Sequence, residues 1–185
     1  MLDNTSKWSH ARGNTVVPSR WQATLDTFYP DPKASTGLML WRITNSWQRE
    51  IRAALAPFGL THVQFVLLAA LTAMDRETPV TQRDLAERAV TDPMMTSQVL
   101  RALEDKDLVE RHPHPTDRRA RTLKVTPAGV ALANRANAAV EQADRAYFSP
   151  LGKKGRDFTD CLATLSAAAD ISGKSDLTAH RTESV

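Results

Sequence analysis

Two points of the sequence combine a helix-capping side chain with a proline, and they restrict the fold more than any other feature. Asp92 stands before Pro93, and Thr126 stands before Pro127. Asp and Thr side chains accept hydrogen bonds from the free N–H groups of a first helical turn, and proline at the first helical position gives up no hydrogen bond. The sequence therefore predicts a helix from Asp92 to Asp105 and a long Ala-rich helix after Thr126.

The segment between these two helices has the pattern of a β-hairpin. Residues 108–110 form a short extended run, and residues 122–126 alternate as a strand does. Pro113 and Pro115 separate the two runs. Glycine accounts for 7 of the 185 residues, about 4%, whereas about 7% is usual. A turn-rich all-β fold is therefore disfavoured. We expect a mainly α fold with one small β-hairpin.

Three further helices precede these elements. The first spans about residues 36–57, where apolar residues recur at steps of three and four. Thr61 caps the second, which is apolar almost all round, as is typical of a helix buried on every side. Thr81 caps a short third helix. This order of elements predicts a winged helix-turn-helix over about residues 61–126, with helical arms on both sides.

The two ends of the chain differ from this central region. Residues 1–35 form a polar N-terminal extension, which we expect to be partly disordered with one short helix over 19–29. Helices over about residues 127–171 follow the hairpin. We expect residues 172–185 to be a disordered tail.

The helix that begins at Asp92 carries side chains suited to reading DNA. In a helix-turn-helix the second helix enters the major groove, where Gln can pair with adenine and Arg with guanine. The same pattern also suits an ordinary core helix, so this helix alone does not decide the function. The candidate base-reading side chains are Thr96, Ser97, Gln98 and Arg101.

The predicted hairpin carries more positive charge than the chain as a whole. The formal net charge is +3, whereas residues 111–124 hold five basic side chains against one acidic side chain, a local charge of +4. A basic hairpin beside a helix-turn-helix can follow phosphates or insert an Arg into a narrow minor groove. We therefore predict double-stranded DNA as the partner. The five basic residues are Arg111, Arg118, Arg119, Arg121 and Lys124.

Other patterns argue against enzymatic, metal-binding and membrane functions. The sequence has no nucleophile elbow, no zinc-protease motif and no phosphate-binding glycine loop, so we expect no enzyme and no cofactor. His112, His114 and Asp117 lie close together, but a fourth ligand is missing and we expect no metal. Cys161, beside Leu162, predicts a buried and inert thiol. Without a signal peptide or an apolar run of about 20 residues, a cytoplasmic protein is expected.

Several segments resemble the multiple antibiotic resistance regulator (MarR) family. The most specific are Leu-Val-Glu-Arg at 108–111, Pro-Thr-Asp-Arg-Arg-Ala-Arg at 115–121 and Val-Thr-Pro-Ala-Gly at 125–129. Supporting segments lie at 55–61, 64–65, 81–86 and 92–104. The resemblance covers about residues 36–171. It implies a homodimer formed by the N- and C-terminal helices, with each subunit binding one half of a pseudo-palindromic operator.

The resemblance also implies roles for residues of the hairpin. Asp117 and Arg119 match the family's paired acid and base, in which the Asp orients the Arg and the Arg enters the minor groove. Arg118 and Arg121 match positions that lie along phosphates.

Residues of the helix-turn-helix match the family less evenly. Thr81 and Gln82 match positions that touch the DNA backbone. Gln98 stands where many members have Arg, and Met94 and Met95 stand where small hydroxyl residues are common. The base-reading pattern, and with it the operator sequence, therefore stays open.

Members of this family are commonly released from DNA by small aromatic acids or phenols. The corresponding region of this chain would be lined by Trp41, Arg42, Asn45 and His62, an aromatic face with a cation and two polar groups that suits a planar carboxylate. A structural interpretation of the same residues is also open: Trp41 as a packing residue, Arg42 as a solvated charge and His62 as a helix-start residue.

The predicted function is a DNA-binding transcriptional regulator, a homodimeric repressor that a small aromatic or phenolic ligand releases from its operator. One alternative is a winged-helix module that binds another protein, and another is a regulator without a small-molecule ligand. The Arg-rich hairpin favours DNA, because a protein-binding module has little use for five cations there and would keep its partner at high salt.

Overall fold

The computed structural model describes residues 28–29, 31–74, 78–117 and 120–182 of the chain. The helices are α1 (Thr36–Leu55), α2 (His62–Ala73), α3 (Gln82–Ala89), α4 (Pro93–Glu104), α5 (Pro127–Phe148) and α6 (Gly155–Thr182). The strands are β1 (Val80–Thr81), β2 (Val109–Pro113) and β3 (Arg121–Val125), and short 3₁₀ turns cover Pro32–Ala34, Ala56–Phe58 and Ser149–Lys154. A mainly helical chain with a winged helix-turn-helix is thus confirmed.

The helix caps lie where the sequence predicts them. Asp92 Oδ1 accepts the N–H groups of Met94 and Met95, each at 2.9 Å. Thr126 Oγ1 accepts the N–H of Gly129 at 2.9 Å. These side chains satisfy N–H groups that have no partner inside the helix, so they fix where α4 and α5 begin.

The sheet contains one strand that the sequence analysis did not predict. The strand order is β1-β3-β2 and both pairings are antiparallel, with Val80 opposite Leu123 and Val109 opposite Val125. A strand of two residues is too short to show an alternating pattern, so β1 gave no sequence signal. We call β2, β3 and the loop between them, residues 109–125, the wing.

The core is built around α2. Leu67 and Leu68 are fully buried, and α2 contacts α3, α4, α5 and β3. This confirms the prediction of a helix enclosed on most sides. The other aliphatic side chains at 0% exposure come from the surrounding helices and are Ile51, Leu55, Leu85, Leu100, Leu103 and Ala136.

Gly129 is the point at which the wing meets α5 most closely. A Cβ atom at this position would overlap the carbonyl oxygen of Leu108 and lie 2.9 Å from Val125 Cγ2. The N–H of Thr126 also donates to that Leu108 carbonyl at 3.0 Å. Only glycine allows the start of α5 to lie against the wing at this distance.

Contacts divide the chain into two units at Met39, and of the first unit the structure describes residues 28–29 and 31–39. In its described part, Asp31 Oδ1 accepts the N–H of Lys33 at 2.9 Å and begins the first 3₁₀ turn. The predicted helix over 19–29 lies outside the described residues, except for Phe28 and Tyr29, which are not helical.

The C-terminal part of the chain differs from the prediction in two respects. Helix α6 continues to Thr182, whereas we expected a disordered tail from residue 172. No proline follows the 3₁₀ turn after α5, so the residue that most strongly breaks a helix is absent from this stretch. Cys161 is exposed, so the prediction of a buried thiol is wrong for the single chain.

Among the described residues, no single helix has the length and apolar character to cross a membrane. Residues 36–58 and α2 have sufficient length and apolar character only when they are taken together, and the two parts are bent by 74° relative to each other.

Candidate nucleic-acid interface

A tight turn sets the position of α4 relative to α3. Val90 ends α3 in the left-handed conformation, with φ 51°, and the N–H of Thr91 donates to Ala86 O at 3.0 Å. Gln82 Nε2 donates to the carbonyl oxygen of Pro93 at 3.3 Å and links the first turns of the two helices. The helix-turn-helix is therefore held by hydrogen bonds as well as by its core.

Helix α4 has a clear inner and outer face. Leu100 and Leu103 are fully buried against the core. Met94, Gln98 and Arg101 follow at steps of four and three, so they share the opposite face, and all three are exposed. An exposed face with an amide and a guanidinium can donate and accept hydrogen bonds at base edges.

The structure corrects one predicted DNA contact on this helix. Thr96 is fully buried. Its Oγ1 donates to the carbonyl oxygen of Asp92 at 2.8 Å and lies 2.8 Å from Oγ1 of Thr91. A base edge cannot reach this hydroxyl, so Thr96 stabilises the turn before α4 instead. Ser97, next to it, is half-buried and remains a candidate.

Thr81 and Gln82, the predicted backbone contacts, are both engaged within the protein. The N–H and Oγ1 of Thr81 donate to Asp84 Oδ2, each at 2.8 Å, and Thr81 Oγ1 accepts from the N–H of Asp84 at 3.3 Å. These hydrogen bonds from Thr81 hold the pKa of Asp84 below its ordinary value. Gln82 uses Nε2 on Pro93, as described above, and keeps its side-chain oxygen for other partners.

The basic residues of the wing fall into two groups. Arg111 is half-buried and its Nε lies 2.9 Å from Glu104 Oε2, which joins β2 to the end of α4. Its Nη2 is buried without a hydrogen-bond partner among the described residues. Arg121 and Lys124 are exposed on β3. Arg111 is thus a structural cation, and the exposed pair is available to phosphates.

The loop of the wing is organised around one imidazole. His114 Nδ1 accepts the N–H of Thr116 at 3.3 Å and the N–H of Asp117 at 3.1 Å. The carbonyl oxygen of Asp117 then accepts the N–H of Ala120 at 3.1 Å. These hydrogen bonds shape the loop on both sides of residues 118–119. The predicted contacts Arg118 and Arg119 lie outside the described residues.

Comparisons with known proteins match this architecture. The sequence model of the MarR family matches residues 60–120, which run from the start of α2 to the end of the wing loop. The HTH-type transcriptional regulator YdcH of Bacillus subtilis is 44% identical over 128 residues, which are 68% of this chain and 86% of YdcH. The chain belongs to the MarR family. It is a DNA-binding transcriptional regulator and not an enzyme.

A second MarR relative has solved structures with DNA and with a ligand. The HTH-type transcriptional repressor Rv2887 of Mycobacterium tuberculosis is 34% identical over 133 residues. Its crystal structure in complex with DNA has a TM-score of 0.56 and covers 71% of this chain and 98% of that chain. A crystal structure of Rv2887 with salicylic acid, also 34% identical, has a TM-score of 0.57 and covers 71% of this chain and 96% of that chain.

The four candidate ligand residues of this MarR-family protein do not converge within one subunit. Trp41, Arg42 and Asn45 are exposed on α1. Asn45 Nδ2 donates to the carbonyl oxygen of Trp41 at 2.7 Å, so its amide is directed along its own helix. His62, at the start of α2, packs edge-on against Trp47 with ring centroids 5.3 Å apart. The aromatic residue that contacts His62 is therefore Trp47, which was not among the four candidates.

A cavity lies elsewhere, at the base of the wing. It measures about 600 Å³, and it is lined by the end of α2, the segment around β1 and the two wing strands. None of the four candidate ligand residues lines it. Among the residues that the structure describes, no three His, Cys, Asp or Glu side chains cluster as metal ligands would.

Two residues that contribute to the interface were not assigned a role from the sequence. His114 was considered as a metal ligand or a DNA-facing residue, whereas it shapes the wing loop through Nδ1. Its place between two prolines was the available signal, because a loop with restricted backbone needs an acceptor for its N–H groups. Met94 was noted as a departure from the family pattern, and its exposure shows that it belongs to the outer face of α4.

Proposed function

We propose that this MarR-family regulator is a homodimeric repressor that binds a pseudo-palindromic operator and leaves it when a small aromatic acid or phenol binds. The observation that carries the proposal is the apolar surface on the helices outside the winged helix-turn-helix. The sites for DNA are α4 and the wing of each subunit. Two-fold symmetry of the protein then requires two related half-sites in the operator.

Helices α1 and α6 support the dimer. On α1, Leu40, Trp41 and Ile43 are 49%, 65% and 40% exposed. On α6, Leu162 and Leu165 are 40% and 62% exposed. Apolar residues repeated along two helices mark an interaction surface. In the dimer, α1 and α6 of a second copy cover these exposed apolar side chains. The contact also buries the apolar face of α6, which its own subunit leaves exposed.

Helix α6 meets the rest of its subunit near its beginning. The ring of Phe158 lies 6.1 Å from the ring of Phe148 at the end of α5, and α6 packs against the adjoining 3₁₀ turn. Most protein helices owe their stability to packing of an apolar face. Beyond this contact α6 needs a partner surface, and the partner subunit provides it.

The proposed ligand is a planar carboxylate or phenol. A relative at 34% identity has been crystallised with salicylic acid. Trp41 and Arg42 offer an exposed aromatic face and a guanidinium on α1, Asn45 lies one turn further along the same helix, and His62 begins α2. Because α1 also belongs to the proposed dimer surface, the partner subunit completes the site. The ligand acts by binding more tightly to the arrangement of subunits that cannot bind DNA.

Light scattering after size-exclusion chromatography tests the dimer. The full chain is expected at twice its 20.5 kDa mass. A double variant Leu162→Asp with Leu165→Asp is expected at the mass of one chain, because two charges cannot be buried in an apolar interface. Ala167→Asp is the matched control, because Ala167 is exposed on the opposite side of the same helix, and this variant should remain dimeric. A monomeric full chain contradicts the proposal.

Salicylate tests the release step. We expect it to raise the melting temperature of the protein and to weaken operator binding. Arg42→Ala should reduce both effects and leave DNA affinity without ligand unchanged, while Arg49→Ala, an exposed arginine on the same helix, should alter neither effect. If no aromatic carboxylate or phenol shifts melting or operator binding, the protein is a regulator without such a ligand.

A further inference from the structure

The outer face of α4 contains one prominent apolar side chain. Met94 is 73% exposed in the first turn of the helix. It shares its face with the polar Gln98 and Arg101, which are also exposed. With this exposure, most of the Met94 side chain is free to meet an apolar group of another molecule. The partner it suits must be an apolar group presented by DNA.

The position of Met94 is fixed by the helix cap. The N–H of Met94 donates to Asp92 Oδ1 at 2.9 Å, and Pro93 precedes it in the first turn. The first turn of a groove-reading helix comes closest to base edges. The backbone of Met94 is therefore held where the groove floor is nearest, while its unbranched side chain can adapt to the surface it meets.

Thymine presents the only apolar substituent on the base edges of the major groove, its C5-methyl group. We propose that Met94 is a specificity-determining residue that selects thymine in each operator half-site by contact with this methyl group. The inference rests on the proposed operator binding and adds the base class that one position reads.

Met95 does not qualify for this role. It is 37% exposed, half as much as Met94, and it lies about 100° further round the helix. Val99 lies one turn after Met95 on the same side of the helix, and it is half-buried and packs against the core. Met95 therefore borders the inner face of α4, and it provides a control of the same residue type in the same turn.

Replacement of thymine by deoxyuridine tests the contact directly, since it removes the methyl group and keeps the base pair. The operator is first obtained by selection of duplexes from a random library with the full chain. Each thymine is then replaced singly, and binding is measured by fluorescence anisotropy for the wild type, Met94→Ala, Met94→Leu and Met95→Ala. The melting temperature of each variant checks that it is folded.

The expected result is a coupling between one methyl group and one side chain. Loss of the methyl at one thymine position per half-site weakens wild-type binding about fourfold, the value for one buried methylene-sized group of about 0.8 kcal/mol. Met94→Ala removes this sensitivity, Met94→Leu retains it, and Met95→Ala leaves it unchanged.

The inference is overturned if every deoxyuridine substitution affects the wild type and Met94→Ala equally, or if Met95→Ala is the variant that loses the sensitivity. Either result leaves the operator binding itself intact. Failure of the full chain to select any duplex refutes the proposed operator binding instead, so the two failures are distinguishable.

Discussion

Trp47 Nε1 donates a 2.7 Å hydrogen bond to Asp144 Oδ1, and this bond joins α1 to α5. The imidazole of His62 packs edge-on against the same indole. Three helices therefore meet at one aromatic side chain. Burial lowers the pKa of His62 below its ordinary value of 6.5, the charge of Arg52 lowers it further, and Asp144 opposes both.

This arrangement predicts a pH dependence of stability. The unfolded chain binds a proton on His62 below pH 6.5, whereas the folded chain binds it only at lower pH. The contribution of His62 to the free energy of unfolding is thus complete above pH 6.5 and is lost as the pH falls through the folded-state pKa. Urea unfolding at pH 7.5 and pH 5.5 should show a smaller loss for His62→Gln than for the wild type. Equal losses would refute the assignment.

The close approach at Gly129 predicts a large effect of one methyl group. Gly129→Ala places a Cβ on Leu108 O and against Val125, so the free energy of unfolding should fall by about 1–3 kcal/mol, the usual cost of overpacking. Gly155→Ala is the control, because a Cβ at Gly155 meets no heavy atom within 4 Å and its φ is −59°. Thermal unfolding of both variants checks the prediction, and similar melting temperatures would contradict it.

The corrected role of Thr96 predicts a stability effect without a specificity effect. Thr96→Val removes the hydroxyl that bonds Asp92 and Thr91, and it should lower the free energy of unfolding by about 1–3 kcal/mol. Thr96→Ser keeps the hydroxyl and should recover part of this loss. The sequence preference of Thr96→Val in duplex selection should match that of the wild type. A changed preference would return Thr96 to the base-reading residues.

Local signals in the sequence predicted most of the fold. Asp92, Thr126 and Thr61 cap helices as expected because a cap depends only on the next few residues. The buried face of α4 was less accessible, since Thr96 has the same polar side chain whether it faces DNA or Thr91. Only the packing of α4 on the core decides between these environments.

The candidate ligand residues show the same limit. Trp41 and Trp47 are both aromatic residues of α1, but the one that meets His62 is determined by how α1 crosses α2 and α5. The same limit applies to the basic residues of the wing. Arg111 and Arg121 contribute equally to the charge of the sequence, yet Arg111 pairs with Glu104 and Arg121 is exposed. Local charge density therefore located the basic segment, but it could not separate the paired Arg111 from the exposed Arg121.

The cations of the wing predict separate effects on affinity and on salt dependence. Arg121→Ala should weaken operator binding and reduce the slope of log K against log salt by about 1 per subunit, because one phosphate contact is lost. Arg119→Ala should weaken binding by about 1–3 kcal/mol per subunit contact without unfolding the dimer. Arg145→Ala, on α5 and paired with Glu141, is the control and should change neither quantity. Anisotropy titrations at several salt concentrations measure both effects, and unchanged affinity in the wing variants contradicts the assignment.

Binding of the full chain to its selected operator tests the central claim most directly. Stoichiometric titration should give two chains per pseudo-palindromic duplex, and affinity titrations should give a slope of log K against log salt of about −6, as expected for 6 to 8 neutralised phosphates. Affinity should exceed that for a scrambled duplex by at least about 1,000-fold at physiological salt. Binding of one chain per duplex, with equal affinity for the scrambled sequence, would contradict a homodimeric regulator that recognises an operator through α4 and the wing.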